Sequence, residues 1–196
     1  MGAQQTQETR VRLVEKIQTQ LVDTQSVLFA FDLSTQPAAL DLAREAVREL
    51  QLSHPERRSS NVRSEWLSPK NSHELNPKLR PLCQLVTTLC GQIWSDVFGS
   101  GDGGGSDDFY VWQCWAINYG HGGYAESHNH FPAFFAAVVY LEADEVSAPI
   151  VFGTNAARPS VANTLYVFPG ALQHEVPPNT GRRVVVAMNI LKKNPA

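Results

Sequence analysis

The second half of the chain is a succession of short apolar runs separated by turn signals, and this pattern restricts the fold more than any other feature. The runs are rich in aromatic and β-branched residues, and glycine or proline stands between them. Short strands at such close intervals are typical of an all-β sandwich or barrel. The predicted strands are 109–119, 134–141, 149–152, 164–168 and 183–190, and the predicted turns are 120–123, 155–159, 169–170 and 177–181.

The first half of the chain has mainly helical patterns. Apolar residues recur near helical spacing in three segments, and the second of these begins at Pro37, a residue favoured in a first helical turn. We therefore expect a mainly β protein with N-terminal helices, in which region 1–100 supports a β core at 109–192 within one structural domain. The predicted helices are 8–22, 37–50 and 77–98, with a short strand at 26–32, a broken segment or strand edge at 54–73 that carries Trp66, and a flexible glycine-rich segment at 99–108.

The composition excludes several classes of function. Charged residues make up 18% of the 196 residues and hydrophobic ones 43%, which is enough for a sizeable core. The formal net charge of −3 argues against nucleic acid as a partner, and no apolar run approaches the ~20 residues of a membrane span. The polar N-terminus has no secretory pattern. Cys83, Cys90 and Cys114 lack ligand spacing, so we expect buried free thiols and a cytoplasmic protein.

Three histidines form the strongest chemical signal. Side chains alternate along a strand, so His128 and His130 point to the same side and can hold one ion. His174 can complete a set of three nitrogens that leaves other coordination positions open, as metal catalysis requires. Imidazole suits iron, zinc, copper and nickel, so the spacing alone does not select the metal. The alternative is three unrelated polar histidines.

Arg183 begins a strongly apolar strand, where a charged residue is unwelcome unless it is paired. The guanidinium group is always charged and its planar fork matches a carboxylate. An arginine inside a barrel beside a metal therefore indicates a dicarboxylate ligand. The alternative is a strand-end arginine that faces water, a role for which Arg182 is the better candidate.

Taken together, these residues resemble the 2-oxoglutarate- and Fe(II)-dependent dioxygenases, which share a double-stranded β-helix of the jelly-roll or cupin type. The resemblance covers about residues 57–190 and includes a less characterised subgroup from bacteria and phages. His128-Asn129-His130 stands where the family has H-x-D, and Arg183 falls at the family's spacing. The other segments that resemble the family are 119–124, which leads to His128, Val138-Val139-Tyr140-Leu141 and 165–176. The segments that resemble the subgroup are 60–66 and 183–189.

The resemblance implies a set of roles. His128, His130 and His174 would hold Fe(II), and Arg183 would pair with the distal carboxylate of 2-oxoglutarate. Tyr140 would donate a hydrogen bond to that carboxylate. The remaining expected site residues are Tyr119 and Asn118 as cosubstrate-binding residues and Arg158 at the pocket, whereas Trp112 and Trp115 are expected in the core.

Two positions depart from the family pattern. His130 stands where most members have a carboxylate, which leaves the metal more positive by one charge. Val185 stands where a small hydroxyl residue is expected, so one hydrogen bond to the distal carboxylate is missing.

Three other interpretations remain open at this stage. A cupin-type enzyme with three histidines and no 2-oxoglutarate, similar to thiol dioxygenases, would have the same histidines. A zinc-dependent hydrolyase or hydrolase would also have them. A degenerate oxygenase could serve as a binding protein on the same fold. No motif in the sequence identifies the prime substrate, which could be a small molecule or a peptide. No motif indicates the oligomeric state.

Overall fold

The computed structural model describes residues 26–56, 60–98 and 108–193, which form two antiparallel sheets with helices on one side. The predicted helix at 8–22 and most of the glycine-rich segment lie outside these residues. The strands are β1 (Phe29–Asp32), β2 (Val62–Arg63), β3 (Trp66–Leu67), β4 (Phe109–Asn118), β5 (Tyr124–His128), β6 (Phe135–Ala143), β7 (Ile150–Phe152), β8 (Ala156–Arg158), β9 (Thr164–Pro169), β10 (His174–Val176) and β11 (Arg183–Lys192); the helices are α1 (Pro37–Ser53), α2 (Ser72–Leu75) and α3 (Arg80–Phe98), with a 3₁₀ turn at Pro77–Leu79.

The two sheets confirm the predicted mainly β fold. The six-stranded sheet has the order β1-β9-β6-β11-β4-β3, and the five-stranded sheet has the order β2-β5-β10-β7-β8. Within the larger sheet, β11 lies between β4 and β6 and pairs antiparallel with both. The long central strands therefore form one side of the inner core, and the smaller sheet lies on the opposite side.

Helices α1 and α3 cover the outer face of the larger sheet. Pro37 occupies the first turn of α1, where its missing N–H costs nothing. Apolar residues three and four positions apart then form one buried stripe on each helix and pack against the sheet. The buried residues of this stripe on α1 are Leu40, Ala43, Ala46, Val47 and Leu50.

Strand alternation on β4 separates two apolar cores. Cys114 and Ala116 face the helices, whereas Trp115 and Ile117 face the smaller sheet. All four are buried, because both faces of β4 are covered. The inner core, between the sheets, contains the candidate site.

Several local predictions need correction. The segment 155–159 was expected to be a turn, but it contains β8 at the edge of the smaller sheet. The strand predicted at 26–32 corresponds to β1, and the predicted strand edge with Trp66 contains β2 and β3. Trp112 was expected in the core and is 45% exposed. The three cysteines are free and buried, as predicted.

In the part of the chain that the structure describes, no helix has the length and apolar character needed to span a bilayer.

Candidate functional site

The three predicted histidines converge at one end of the inner core. His128 ends β5 and His174 begins β10, and the two are register partners in the smaller sheet. His130 follows two residues after His128. Nitrogen atoms of the three rings all lie within 4.8 Å of one another, and Nε2 of His130 lies 3.2 Å from Nε2 of His174. The structure thus brings together three residues that the sequence separates by up to 46 positions.

Backbone carbonyls fix which ring nitrogen points to the centre. Nδ1 of His128 lies 2.6 Å from the carbonyl oxygen of Glu126, and Nδ1 of His174 lies 3.0 Å from that of Leu172. A carbonyl oxygen only accepts, so each Nδ1 must carry the proton and donate. Each Nε2 then keeps its lone pair available for a metal. Backbone carbonyls therefore set the orientation of both rings.

The environment keeps the three imidazoles neutral. Burial is the largest cause in each case, because it disfavours the charged ring. It lowers the pKa of His130 to about 3 and that of His174 to about 4, with the charges of neighbouring histidines adding to the effect. The pKa of His128 is also lowered, against the opposing bond from its ring to the Glu126 carbonyl. Neutral rings at physiological pH are the form that binds metals.

Gly170 holds the loop that carries His130. The N–H of His130 donates to the Gly170 carbonyl at 2.7 Å. A Cβ atom at position 170 would lie 2.0 Å from the carbonyl oxygen of Ala133, so only glycine permits this close approach. The position of His130 is therefore determined by a backbone contact between two loops.

Arg183 lies at the other end of the same cavity and is 1% exposed. Its Nε donates to the Ser160 hydroxyl at 3.1 Å and its Nη2 donates to the Tyr140 hydroxyl at 3.2 Å. Its Nη1 is buried with no hydrogen-bond partner, and no carboxylate of the described residues pairs with the guanidinium. A buried guanidinium without an anion is costly, so this group has unmet capacity for an anionic ligand.

Two tyrosines flank the guanidinium. The Tyr119 ring centroid lies 4.2 Å from the guanidinium carbon, and the Tyr140 ring centroid lies 5.2 Å from it. Burial raises the pKa of the Tyr119 hydroxyl, against the nearby positive charge of Arg183, so that hydroxyl stays protonated. Val185, two positions after Arg183 on the same face of β11, also lines the cavity.

The cavity has a volume of about 190 Å³ and its lining is free of acidic groups among the described residues. Arg183 and Lys70 are its cationic side chains. Besides these two and the three histidines, it is lined by Ser60, Asn61, Val62, Leu67, Ser68, Trp115, Ile117, Tyr119, Ala125, Asn129, Val138, Ile150, Val176, Val185 and Ala187.

Two expected site residues lie elsewhere, and these expectations are corrected. Asn118 points to the opposite face of β4 from Tyr119, and its side chain donates to Glu65 at 3.1 Å. Alternation along the strand places it outside the cavity. Arg158 is exposed on β8, and its guanidinium donates to the carbonyl of its neighbour Ala157. Arg182 is exposed and pairs with Glu142, in the water-facing role that its sequence position suggested.

Sequence reasoning missed two polar residues of the cavity region. Ser160 is buried, donates to the Ala148 carbonyl at 2.6 Å, and accepts from Arg183. Lys70 lies with its ammonium 5.6 Å from the Trp115 ring centroid. Both lie outside the segments with recognisable motifs, and only the tertiary fold brings Lys70 to the cavity and Ser160 to Arg183.

The residues present fit a metal ion. Three neutral nitrogen donors converge on one point, and backbone carbonyls hold the outer nitrogens of His128 and His174. The donor set leaves positions open for other ligands. The set contains no carboxylate, so it adds no negative charge to a divalent ion.

Several solved structures share this fold. A Pseudomonas putida prolyl-4-hydroxylase is 16% identical, with a TM-score of 0.57 over 86% of this chain and 93% of that one. The non-heme alpha-ketoglutarate-dependent epimerase SnoN of nogalamycin biosynthesis is 13% identical, with a TM-score of 0.63 over 84% and 77%. The viral collagen prolyl hydroxylase of Paramecium Bursaria Chlorella virus-1, solved with 2OG, is 14% identical, with a TM-score of 0.53 over 83% and 94%.

No protein-family model matches this sequence, and no curated protein sequence matches it. At such low identities, the structural likeness concerns the fold alone. It confirms the predicted jelly-roll fold, which is the fold of the 2-oxoglutarate/Fe(II) oxygenases.

Proposed function

We propose that this chain is an Fe(II)- and 2-oxoglutarate-dependent oxygenase, a hydroxylase of a substrate still to be identified. The observation that carries the proposal is the buried Arg183, which has no anionic partner among the described residues and shares one cavity with three neutral histidines. A structural metal site would not need that arginine. A dicarboxylate that reaches from the histidines to Arg183 accounts for both features.

The histidines have the role of holding the iron. Nε2 of His128 and Nε2 of His174 can each give a lone pair to the metal, because the carbonyl contacts keep the ring proton on Nδ1. Nε2 of His130 lies 3.2 Å from Nε2 of His174, a spacing that suits two nitrogen ligands of one ion. His130 would bind through this Nε2 in its neutral form with the proton on Nδ1.

Arg183 has the role of holding the distal carboxylate of 2-oxoglutarate. Its unpartnered Nη1 supplies a donor, and the Tyr140 hydroxyl can turn its own proton toward the same carboxylate. The bonds to Ser160 and Tyr140 restrict the guanidinium before the ligand arrives, which reduces the entropy lost on binding. The apolar lining excludes water, while the iron and 2-oxoglutarate, when bound, supply the oxidising chemistry.

An anaerobic titration tests the proposal. Fe(II) is added to the metal-free protein, followed by 2-oxoglutarate, and the visible absorption is recorded. A weak charge-transfer band that appears only with both components supports the proposal. If the band is absent and neither addition raises the melting temperature, the cosubstrate assignment is wrong.

A matched pair of variants locates the cosubstrate. Arg183→Met removes the buried cation, whereas Arg182→Met removes the exposed neighbouring one. We expect the first variant to lose most 2-oxoglutarate affinity and to keep a full equivalent of metal, and the second to behave as wild type. Loss of metal in Arg183→Met would point to a structural role for the arginine.

A second candidate is a three-histidine metalloenzyme without 2-oxoglutarate, and the neutral donor set favours it. Zinc and iron both accept such a set. In that case, metal binding would persist and 2-oxoglutarate would not stabilise the protein. Activity toward the true substrate would not depend on 2-oxoglutarate, either in the wild-type protein or in Arg183→Met. Metal analysis of the purified protein together with the titration separates the two.

A further inference from the structure

The cavity has a second cationic end that the cosubstrate does not use. Trp115 pairs with Ala187 on β11, and the N–H of Tyr119 donates to the carbonyl of Arg183. Four residues of strand therefore separate the Arg183 end from the Trp115 end, which is about 13 Å. The His130 ring centroid lies 5.8 Å from that of Trp115, so the histidines adjoin the Trp115 end.

Lys70 marks this outer end. Its ammonium lies over the Trp115 ring, and no carboxylate of the described residues pairs with it. Asn129, whose amide bonds to Gln173, lines the cavity beside it. The side chain is exposed, so an incoming ligand can reach its charge.

The charges in the cavity are not balanced by the proposed cosubstrate. A divalent metal, Arg183 and Lys70 together carry four positive charges, and a dianion such as 2-oxoglutarate removes two of them. The lining contains no aspartate or glutamate in the described part of the chain, and His130 adds no charge where a carboxylate ligand would. An excess of positive charge in a partly closed cleft attracts anions and disfavours cations.

We infer that the substrate is a small organic anion, whose carboxylate or phosphate pairs with Lys70 while its apolar or aromatic body packs against Trp115. This inference rests on the proposed function and adds the substrate class to it. Trp115 offers an aromatic surface that lines the cavity, and Lys70 offers a cation 5.6 Å from the centroid of that ring. The reacting carbon of such a molecule would lie toward His130, on the metal side of the ring.

Calorimetric titration with matched probes tests the inference. The probes are phenylacetate, phenyl phosphate and the neutral isostere 2-phenylacetamide, added to the full-length protein that has been saturated anaerobically with Fe(II) and 2-oxoglutarate. We expect at least one of the two anions to bind about tenfold more tightly than the amide. The anion that binds more tightly shows whether the recognised group is a carboxylate or a phosphate.

Two lysine variants provide the matched comparison. Lys70→Met removes the charge and keeps an apolar stem. Lys192→Met does the same at the other lysine that lies over a tryptophan ring, 3.5 Å from the Trp94 centroid and outside the cavity. The preference for the anion should disappear in the first variant and persist in the second. Equal anion binding by wild type and Lys70→Met, or no preference for either anion over the amide, would overturn the inference.

A further arm separates this inference from the proposed function. The same probes are titrated into Arg183→Met without 2-oxoglutarate, so that Lys70 is the remaining cation of the described lining. If the wild-type protein fails to bind 2-oxoglutarate but Arg183→Met still prefers the anions, the proposed function is wrong and the anion site stands. If the wild-type protein binds 2-oxoglutarate and Lys70→Met keeps the anion preference, only the substrate class is wrong.

Discussion

Nε2 of His130 lies 3.2 Å from Nε2 of His174, and the Leu172 carbonyl leaves the Nε2 lone pair of His174 free. Two imidazole nitrogens bound to one ion at ~2.1 Å lie about 3–3.4 Å apart. The two nitrogens are therefore spaced as ligands of one metal ion.

Acid should destabilise the metal-free protein through these rings. The pKa of His130 is lowered to about 3 and that of His174 to about 4, whereas both are near 6.5 in an unfolded chain. Between pH 6.5 and pH 4 the unfolded chain therefore binds more protons, and stability falls as the pH falls. Each such imidazole contributes up to ~1.4 kcal/mol per pH unit, or about 3–6 °C in Tm. Melting curves of chelator-treated protein measure this slope.

His130→Asn should flatten that slope, because it removes one of the titrating rings. His121→Asn, at an exposed loop position, is the control and should leave the slope as it is. An unchanged slope in His130→Asn would show that other groups control the acid sensitivity.

Replacing Arg183 by Met should not destabilise the ligand-free protein. The native guanidinium is buried without an anion, and exchanging buried charges for apolar groups of similar size is often neutral or stabilising by ~1–4 kcal/mol. We expect the free energy of unfolding to be unchanged or higher by about 1–2 kcal/mol, measured by denaturant titration. A loss of more than about 2 kcal/mol would mean that the bonds to Ser160 and Tyr140 stabilise the fold.

Val185→Thr should strengthen 2-oxoglutarate binding. Threonine has nearly the shape of valine, and its hydroxyl would enter the cavity two residues after Arg183. One added hydrogen bond is worth ~1 kcal/mol, or about fivefold in affinity. The ligand-free variant should lose about 1–2 kcal/mol, since its hydroxyl is then buried without a partner. Equal affinities of the two proteins would exclude a carboxylate next to position 185.

Ser160→Ala should weaken 2-oxoglutarate binding without loss of metal. The Ser160 hydroxyl accepts from Nε of Arg183 and donates to the Ala148 carbonyl, so it restricts the guanidinium from the loop side. We expect a loss of about three- to tenfold in affinity, measured by calorimetry of the Fe(II)-loaded protein. Ser160→Thr keeps a hydroxyl and should recover part of the loss; a variant pair with identical affinities would argue against this positioning role.

His130→Asp should retain Fe(II) and weaken anion binding. The carboxylate restores the ligand type common in iron oxygenases, and it lowers the charge of the site by one. We expect stoichiometric metal by elemental analysis, together with weaker binding of 2-oxoglutarate and of the phenylacetate probe. Complete loss of metal would mean that the site requires three nitrogen donors.

The strand pattern and the His128–His130 pair could be predicted because both depend on local periodicity. His174 lies on a different strand, and its role was implied by the family resemblance. The alternation at Trp115, Ile117 and Tyr119 indicates one inner face, and it excludes Asn118 from that face.

The exposure of Trp112 could not be predicted, because it depends on a register shift. Asn189 pairs with Gln113 and Ile190 pairs with Val111, so Trp112 is an extra residue in a β-bulge. The roles of Ser160 and Lys70 could not be predicted either, since they depend on contacts with the distant residues Arg183 and Trp115. Pairings between distant segments leave no local signal in either partner.

The pairing of β4 with β11 also determines when the protein can fold. The two strands are partners along almost their whole length, from Val184 opposite Asn118 to Lys192 opposite Phe109. During synthesis, β4 leaves the ribosome long before its partner has been made. The edges of β4 and β6 that face β11 therefore stay unpaired in the nascent chain until β11 emerges. Pairing between such distant strands is slow and exposes the chain to aggregation in that interval.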